Sequence, residues 1–468
     1  MKVTSSYKIK IINQNKIFDD TIKKYREIVG WYIGILDKEW VNSGFDTIEN
    51  DNKGYKKVAL LSSLTHKTLQ NPNPIYDFKA EFFGGKANQR VPSNYIEASM
   101  LAAIGSYSSY YSNLKNWEKE DEETRGEKPK LQLDRNLYPS LYPSMKNNYI
   151  RIDENTVMIK IYNKETNEWN FKEFKLKGQT VRNVYKKMEG YKELSPMLMK
   201  EGKRYFLSYP FEISVKQEKV KVNDRIIASV YLGIDQFAVV SIMDSNGKIL
   251  ARKFLDYKDL KLPFYQSINR VRKAQMNGSR KMPHKWRHVN DYNREIARRV
   301  AKDIVDFAKE YNFNVVVFEH IEKAGKKYSK NKQALSLWRG VEIQKLVEHK
   351  CHALGKQMST IGGYNSMYLA FDGSGKGNRT NGDGIKNKQG KFLEFTTGKK
   401  YNIYLNASYN IGARYFLREK AREDKKKLEK KINKKLETNS DIDKQAEVIF
   451  GKTSDRTLNT LLQYNNFI

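Results

Sequence analysis

Ile226-Ile227-Ala228-Ser229-Val230-Tyr231-Leu232-Gly233-Ile234-Asp235 is an apolar run that ends on a glycine and a carboxylate. Its length and β-branched content read as a buried strand, Ile226–Ile234. Two further strands follow, Phe237–Met243 and Lys248–Leu255, joined by Asp244-Ser245-Asn246-Gly247, a sequence suited to a hairpin turn. Downstream, Ile296, Val300, Ile304, Phe307 and Tyr311 fall on one face of a long helix. That helix leads into a second buried run, Val315-Val316-Val317-Phe318-Glu319, and another helix is expected over about Ala334–Leu354. Strands alternating with helices in this way predict an α/β domain that begins near Arg225.

The first half of the chain is organised differently. Helical periodicity covers Asp19–Val41 and Asn94–Trp117, separated by the Pro-punctuated connection Asn71-Pro72-Asn73-Pro74. From Tyr149 to Val220 short alternating segments predict antiparallel strands in a small barrel, to which Tyr7–Ile12 could add a strand. Gly362–Lys400 holds nine glycines without periodicity and reads as an irregular insertion.

Charge narrows the function. The 468 residues include 86 Lys and Arg against 54 Asp and Glu, a net charge of +32, which points to a polyanionic partner. With 39% hydrophobic and 12% aromatic residues the chain can bury enough surface to fold. A lone cysteine, Cys351, excludes a disulfide framework and a four-cysteine zinc site, and reads as a small buried hydrophobe. No apolar run nears the ~20 residues that span a bilayer, and the N-terminus lacks a signal-peptide core. The expectation is a cytosolic, nucleoid-associated protein.

Asp235 and Glu319 both close strands. In an RNase H-like sheet the first and fourth strands are neighbours, which would bring these carboxylates together. Such pairs hold two divalent ions about 3.5–4 Å apart. Taken alone, a strand-terminal acid is more often a turn or cap residue.

The wider pattern adds weight. Leu64-Thr65-His66-Lys67-Thr68, Asn71–Pro74, Ser108-Ser109-Tyr110 through Asn116-Trp117-Glu118, Leu194–Leu198, Gly233-Ile234-Asp235, Val317–His320, Ala370–Lys376, Gly398–Asn402 and Ala407–Arg414 run nearly end to end. Together they resemble the TnpB (OrfB-type) transposon proteins, a family of RNA-guided nucleases close to the compact type V CRISPR effectors. The resemblance implies an α/β multi-domain fold. A wedge-like β-barrel would occupy 1–18 and 145–224, a helical recognition domain 19–144, an RNase H-like (RuvC) domain 225–360 and 401–468, and a target-nucleic-acid-binding insertion 361–400. The cysteines with which some relatives bind zinc near the third motif are absent, so no zinc is expected.

Two departures fall on the three-carboxylate site that the family uses to cut DNA. Where relatives carry the third Asp, this chain has Tyr404, in Tyr401-Asn402-Ile403-Tyr404-Leu405-Asn406. A phenol, with an ordinary pKa near 10, stays protonated at neutral pH and is a poor Mg²⁺ ligand. The segment after Asp235 is also shorter than the family pattern, by about four residues. Asp235 and Glu319 are therefore expected to be vestigial, with no catalytic metal pair. Asp372, Asp383 and Glu394 are the acids that could substitute.

Residues 270–299 carry ten basic side chains against Asp291 and Glu295, with Trp286 among them. Arg270, Arg272, Lys273, Arg280, Lys281, Lys285, Trp286 and Arg287 are expected to line a groove for RNA or the heteroduplex. Arg379 matches a basic position in relatives. A second basic run, Arg418–Lys435, reads as an exposed helix. Family logic assigns the short duplex motif to the N-terminal region, where the candidates are Tyr55, Lys56, Ser62, Ser63, His66, Lys67, Ser106, Ser109, Asn113 and Lys115. The implied cofactor is a guide RNA. The implied partner is double-stranded target DNA bearing a flanking motif, bound by a monomeric ribonucleoprotein. Three functions follow: a nuclease-dead transcriptional repressor, an active nuclease with a substitute carboxylate, and a guided activator with a sigma-factor partner.

Overall fold

The computed structural model describes residues 1–12, 16–48, 55–68, 71–83, 90–120, 122, 126–132, 137–141, 148–233, 236–321, 339–381, 390–432, 452 and 455–467. The chain forms two compact units, Lys2–Ile213 and Ser214–Ile468 with Met1.

In the first unit, helices α1 (Asp19–Glu39), α2 (Tyr55–Thr65), α3 (Phe78–Phe83) and α4 (Ser93–Glu118) gather around an aromatic core. Tyr25 and Tyr32 on α1 are fully buried, and the Tyr25 hydroxyl donates to the Ala98 carbonyl of α4 at 3.0 Å. Burying each phenol with a bonded hydroxyl avoids the cost of an unmet polar group. The strands are β1 (Lys2–Lys10), β2 (Tyr149–Arg151), β3 (Thr156–Asn163), β4 (Glu168–Lys175), β5 (Lys192–Glu193), β6 (Met197–Glu201) and β7 (Arg204–Ser214), with α5 (Gly178–Lys187) after β4. They make two sheets rather than one continuous barrel, β1-β7-β5 with β6 on β7, and β2-β3-β4. An isolated bridge between Ile11 and Leu176 joins them. The N-terminal strand runs over Lys2–Lys10 with Ile11 in the bridge, so it starts earlier than the expected Tyr7–Ile12 and ends before Ile12.

The second unit is built on β8 (Ile226–Leu232), β9 (Ala238–Asp244), β10 (Ile249–Leu255), β11 (Val315–Glu319) and β12 (Gln357–Ile361), in the order β10-β9-β8-β11-β12. β10, β9 and β8 are antiparallel, while β8, β11 and β12 run parallel. This is the strand order of an RNase H-like sheet. Alternation along each strand divides its side chains between two cores. Ala228, Val230, Val316 and Phe318 face α6 (Lys258–Met276), α7 (Pro283–Lys309) and α8 (Gly340–Ala353). Ile227, Val239, Met243, Val315 and Val317 face α9 (Ile403–Ile432) and α10 (Leu458–Phe467). Gly412 permits the close approach of α9, since a Cβ there would stand 2.9 Å from Met243 and 3.1 Å from Ser229.

The sequence is corrected in one region. Gly362–Lys400 is not wholly irregular, because β13 (Asn378–Thr380), β14 (Phe392–Glu394) and β15 (Lys400–Asn402) form an antiparallel sheet. Strands of three residues are too short to show alternation. Of the helix expected over Ala334–Leu354, residues 334–338 lie outside the described residues.

Candidate functional site

The carboxyl ends of the parallel strands β8, β11 and β12 deliver Leu232, Glu319 and Ile361 to one edge, where open α/β sheets place their ligand sites. Val230 is in register with Phe318, so Tyr231 and Glu319 follow as the next residues of adjacent strands. A cavity of about 430 Å³ opens there, lined by Tyr231, Phe318, Glu319, Gln344, Gly363 and Met367, among others.

Glu319 is held from several sides. Gln344 donates to its backbone carbonyl at 2.8 Å, and Ser366 hydrogen-bonds its carboxylate. The carboxylate lies against the backbone of Gly363, where a Cβ would stand 1.9 Å from it. Burial pushes the Glu319 carboxyl up to about 7, against the opposing pull of the Arg414 guanidinium and the bond from Ser366. Arg414, on α9, is fully buried. It donates to the carbonyls of Gly362 and Tyr364 at 2.9 Å each and of Arg456 at 3.0 Å. Burial lowers its pKa to about 10, which leaves it charged at neutral pH.

Asn402 starts α9 by accepting hydrogen bonds from the Tyr404 and Leu405 amides at 3.0 and 3.1 Å, as a capping side chain does. Tyr404 therefore sits in the first helical turn. Its side chain is buried, 5% exposed, and stacks on Tyr231 with ring centroids 5.4 Å apart. Arg379, whose Nε donates to the Gly390 carbonyl at 2.6 Å, contributes positive charge near Tyr231. Asp235 lies outside the described residues.

Among the described residues no group of three or more His, Cys, Asp and Glu side chains is placed to hold a metal ion. The donors described around Glu319 do not suit a pair of Mg²⁺ ions, which prefer clustered carboxylates and water. They are one carboxylate, stacked phenols and a guanidinium. Of the possible substitutes, Asp372 accepts from the Ser374 amide and hydroxyl at 3.0 and 2.6 Å within its own turn, and Asp383 is outside the described residues.

The expected nucleic-acid residues separate by exposure. Arg270, Arg272, Lys273, Arg280, Lys281, Lys285 and Arg287 are exposed on and between α6 and α7, while Trp286 is half-buried against the core. Arg418 is not part of an exposed run, because it donates to the Thr360 carbonyl at 2.8 Å and Ser359 Oγ at 2.7 Å. Among the motif-reading candidates Tyr55, Lys56, Ser63, Lys67, Ser109, Asn113 and Lys115 are exposed and Ser62 is half-buried. Ser106 is buried, 8% exposed, on the inner face of α4 and cannot reach a groove. His66 bonds the Tyr32 hydroxyl at 2.8 Å, and burial lowers its pKa, so it is a neutral packing group. Ser63 and Ser109 donate back to Leu60 and Gly105 of their own helices. Lys67 and Lys115 pair with Asp77 and Glu118 at 3.0 and 3.2 Å. Sequence reasoning missed Tyr231, Gly363 and Arg414. An arginine inside the apolar stretch Leu405–Leu417 was the available signal.

Known proteins bear on this arrangement through the N-terminal half first. Residues 4–163 match the Aq_aa04 family. An Aquifex aeolicus protein named TnpB-like protein aq_aa05 is 29% identical over 191 residues, 35% of this chain and 62% of that one. The chain is similar to a TnpB-like protein. It spans under two thirds of that relative's length. The Aquifex aeolicus uncharacterized protein aq_aa04 is 26% identical over 184 residues, covering 37% of this chain and 95% of that protein. Among solved structures, a Cas12f1–sgRNA–target DNA complex aligns at 14% identity with a TM-score of 0.32, covering 87% of this chain and 98% of that one. A Cas12i1 R-loop complex aligns at 10% identity with a TM-score of 0.40, covering 85% and 66%. Likeness at these scores does not bear on function. Among the described residues no helix is long and apolar enough to cross a membrane.

Proposed function

We propose that this chain is an RNA-guided, sequence-specific DNA-binding protein whose RuvC-like site does not cut, and that it represses transcription by occupying its target. The observation that carries this reading is Tyr404, buried and stacked on Tyr231 beside the strand end that bears Glu319. A third metal ligand would be needed there, and a packed phenol cannot serve as one. The net charge of +32 and the exposed basic face of α6 and α7 support a nucleic-acid partner, with guide RNA as the cofactor. Sequence along the target is read by base pairing with the guide, while the protein reads duplex shape and a short flanking motif. The N-terminal unit supplies that motif reading in this proposal, with Tyr55, Lys56, Asn113 and Lys115 as its exposed candidates.

The protein–RNA complex, incubated with Mg²⁺ and a matched, motif-flanked duplex, tests the proposal. Binding without strand breakage is expected. Specific cleavage abolished by Glu319→Gln would overturn the repressor and establish the nuclease. Sequencing the copurifying RNA identifies the guide.

A further inference from the structure

We propose that a cleft between the segment entering α4 and the β3–β4 hairpin holds one unstacked nucleotide of a single-stranded RNA. The cleft has a volume of about 450 Å³, within the range of small-molecule sites. Trp169 forms its aromatic wall. That ring packs on Tyr95, centroids 4.7 Å apart, and on Tyr162 at 5.3 Å. Tyr95 is itself fully buried and donates to the Lys160 carbonyl at 2.7 Å, so the wall is fixed before any ligand arrives. A base stacking on a fixed ring loses less ordering entropy than one stacking on a mobile ring.

The charges around the ring suit a phosphate. Arg90 and Lys160 line the cleft against a single acid, Glu168, whose carboxylate accepts from the Asn170 amide at 3.2 Å. The Lys160 ammonium lies over the Phe171 ring at 5.4 Å. Pro92 leads into α4, whose first turn carries no acidic residue to oppose an anion. Asn167 and Asn170 add amides of the kind that pair with base edges. The first of these is held in place, because the Tyr162 hydroxyl donates to its Oδ1 at 2.6 Å. Its φ of +57° also suits asparagine in the turn, so its presence there has two causes. An aromatic wall, two cations and two amides in one cleft match a nucleotide better than an apolar ligand or a peptide.

The inference rests on the proposed guided function only for the source of the nucleotide, so the test has two arms. The full chain, stripped of nucleic acid, is titrated with a labelled ten-nucleotide single-stranded RNA and separately with AMP. Trp169→Leu and Arg90→Ala should each weaken RNA binding about tenfold, the scale of one lost stacking or phosphate contact. Arg90 is exposed, so its variant remains informative if Trp169→Leu fails to fold. Tighter binding of the RNA than of AMP that both variants weaken supports a strand in the cleft, while tighter binding of AMP overturns the RNA source in favour of a free nucleotide. Equal RNA binding by the wild type and both folded variants, without AMP binding, overturns the cleft and leaves the guided function standing. AMP binding that both variants lose, without any RNA binding, supports the nucleotide cleft and overturns the guided function.

Discussion

Arginine has opposite fates on α6–α7 and on α9. Arg270, Arg272 and Arg287 stand exposed with neighbouring lysines, on helices whose opposite faces are buried. Arg414 is fully buried and Arg418 largely so, and their guanidinium groups donate to carbonyls that end or follow β12. The same residue type acts in one place as charge available to a polyanion. In the other it is a multi-donor clamp that ties the loop after β12 to the helix. A guanidinium can do this because its donors lie in a rigid plane and it is more weakly hydrated than an ammonium. Local charge density does not separate the two roles. The helical period does, since Arg414 follows Asn406 and Asn410 at four-residue spacing on the buried side that binds loop carbonyls, while Gly412 meets the sheet.

The comparison breaks first at Arg414. Arg414→Met should destabilise the second unit by about 3–5 kcal/mol, because it orphans three carbonyls and leaves Glu319 without its buried counter-charge. Chemical denaturation measures this, and a loss below about 1 kcal/mol would mean the clamp is not structural. The exposed face should behave in the opposite way. Reversing Arg272, Lys273, Arg280 and Lys281 to Glu should leave the thermal midpoint nearly unchanged. It should lower affinity for the proposed guide RNA or target about 100-fold and flatten the salt dependence, because phosphate contacts release counterions. An unaltered salt slope in the folded variant would remove this face from the binding surface.

Glu319 sharpens the contrast through pH. Its carboxyl has an ordinary value of 4.5 and is raised to about 7 in the fold. Between those values the folded chain binds more protons than the unfolded chain. The contribution of Glu319 to stability is therefore whole below about 4.5 and is lost as pH rises through 7. Glu319→Gln removes this dependence. The variant should gain on the wild type between pH 5 and pH 8, by on the order of 2 kcal/mol. Arg414 faces Glu319 and keeps its three carbonyl partners, so it stays satisfied in the variant. Parallel stability curves across that range would show that the buried carboxylate is already ionised.

Much of the second unit was legible in the sequence because long buried strands and an amphipathic helix carry strong periodic signals. Val315–Glu319 is a strand where expected, and β8 lies beside it. Tyr404 was legible only through a motif, since nothing in local pattern distinguishes a tyrosine in a ligand position from one in a core. Its stacking on Tyr231 depends on a helix and a strand about 170 residues apart meeting in space. Ser106 was misjudged for a related reason. A short polar residue among Tyr107, Ser108 and Ser109 shows no clear face until α1 is packed against α4. The sheet β13-β14-β15 was illegible because its strands are three residues long.

The smallest expected effect falls on Gly363, and it tests whether Glu319 is packed against the backbone or free to turn toward a ligand. A methyl group at Gly363 would stand 1.9 Å from the Glu319 carboxylate, far inside van der Waals contact. Gly363→Ala should therefore destabilise by about 1–2 kcal/mol, the scale of overpacking, unless the carboxylate can move away. In a Glu319→Ala background the obstructing atoms are gone, and the same substitution should cost about 0.5 kcal/mol or less. The two changes are in direct contact, so a coupling of about 1 kcal/mol is expected between them. Additive effects in the double-mutant cycle would mean that Glu319 turns out of the pocket without cost. A carboxylate that mobile could still meet a metal ion, and the proposal of a site that does not cut would lose its packing argument with the coupling.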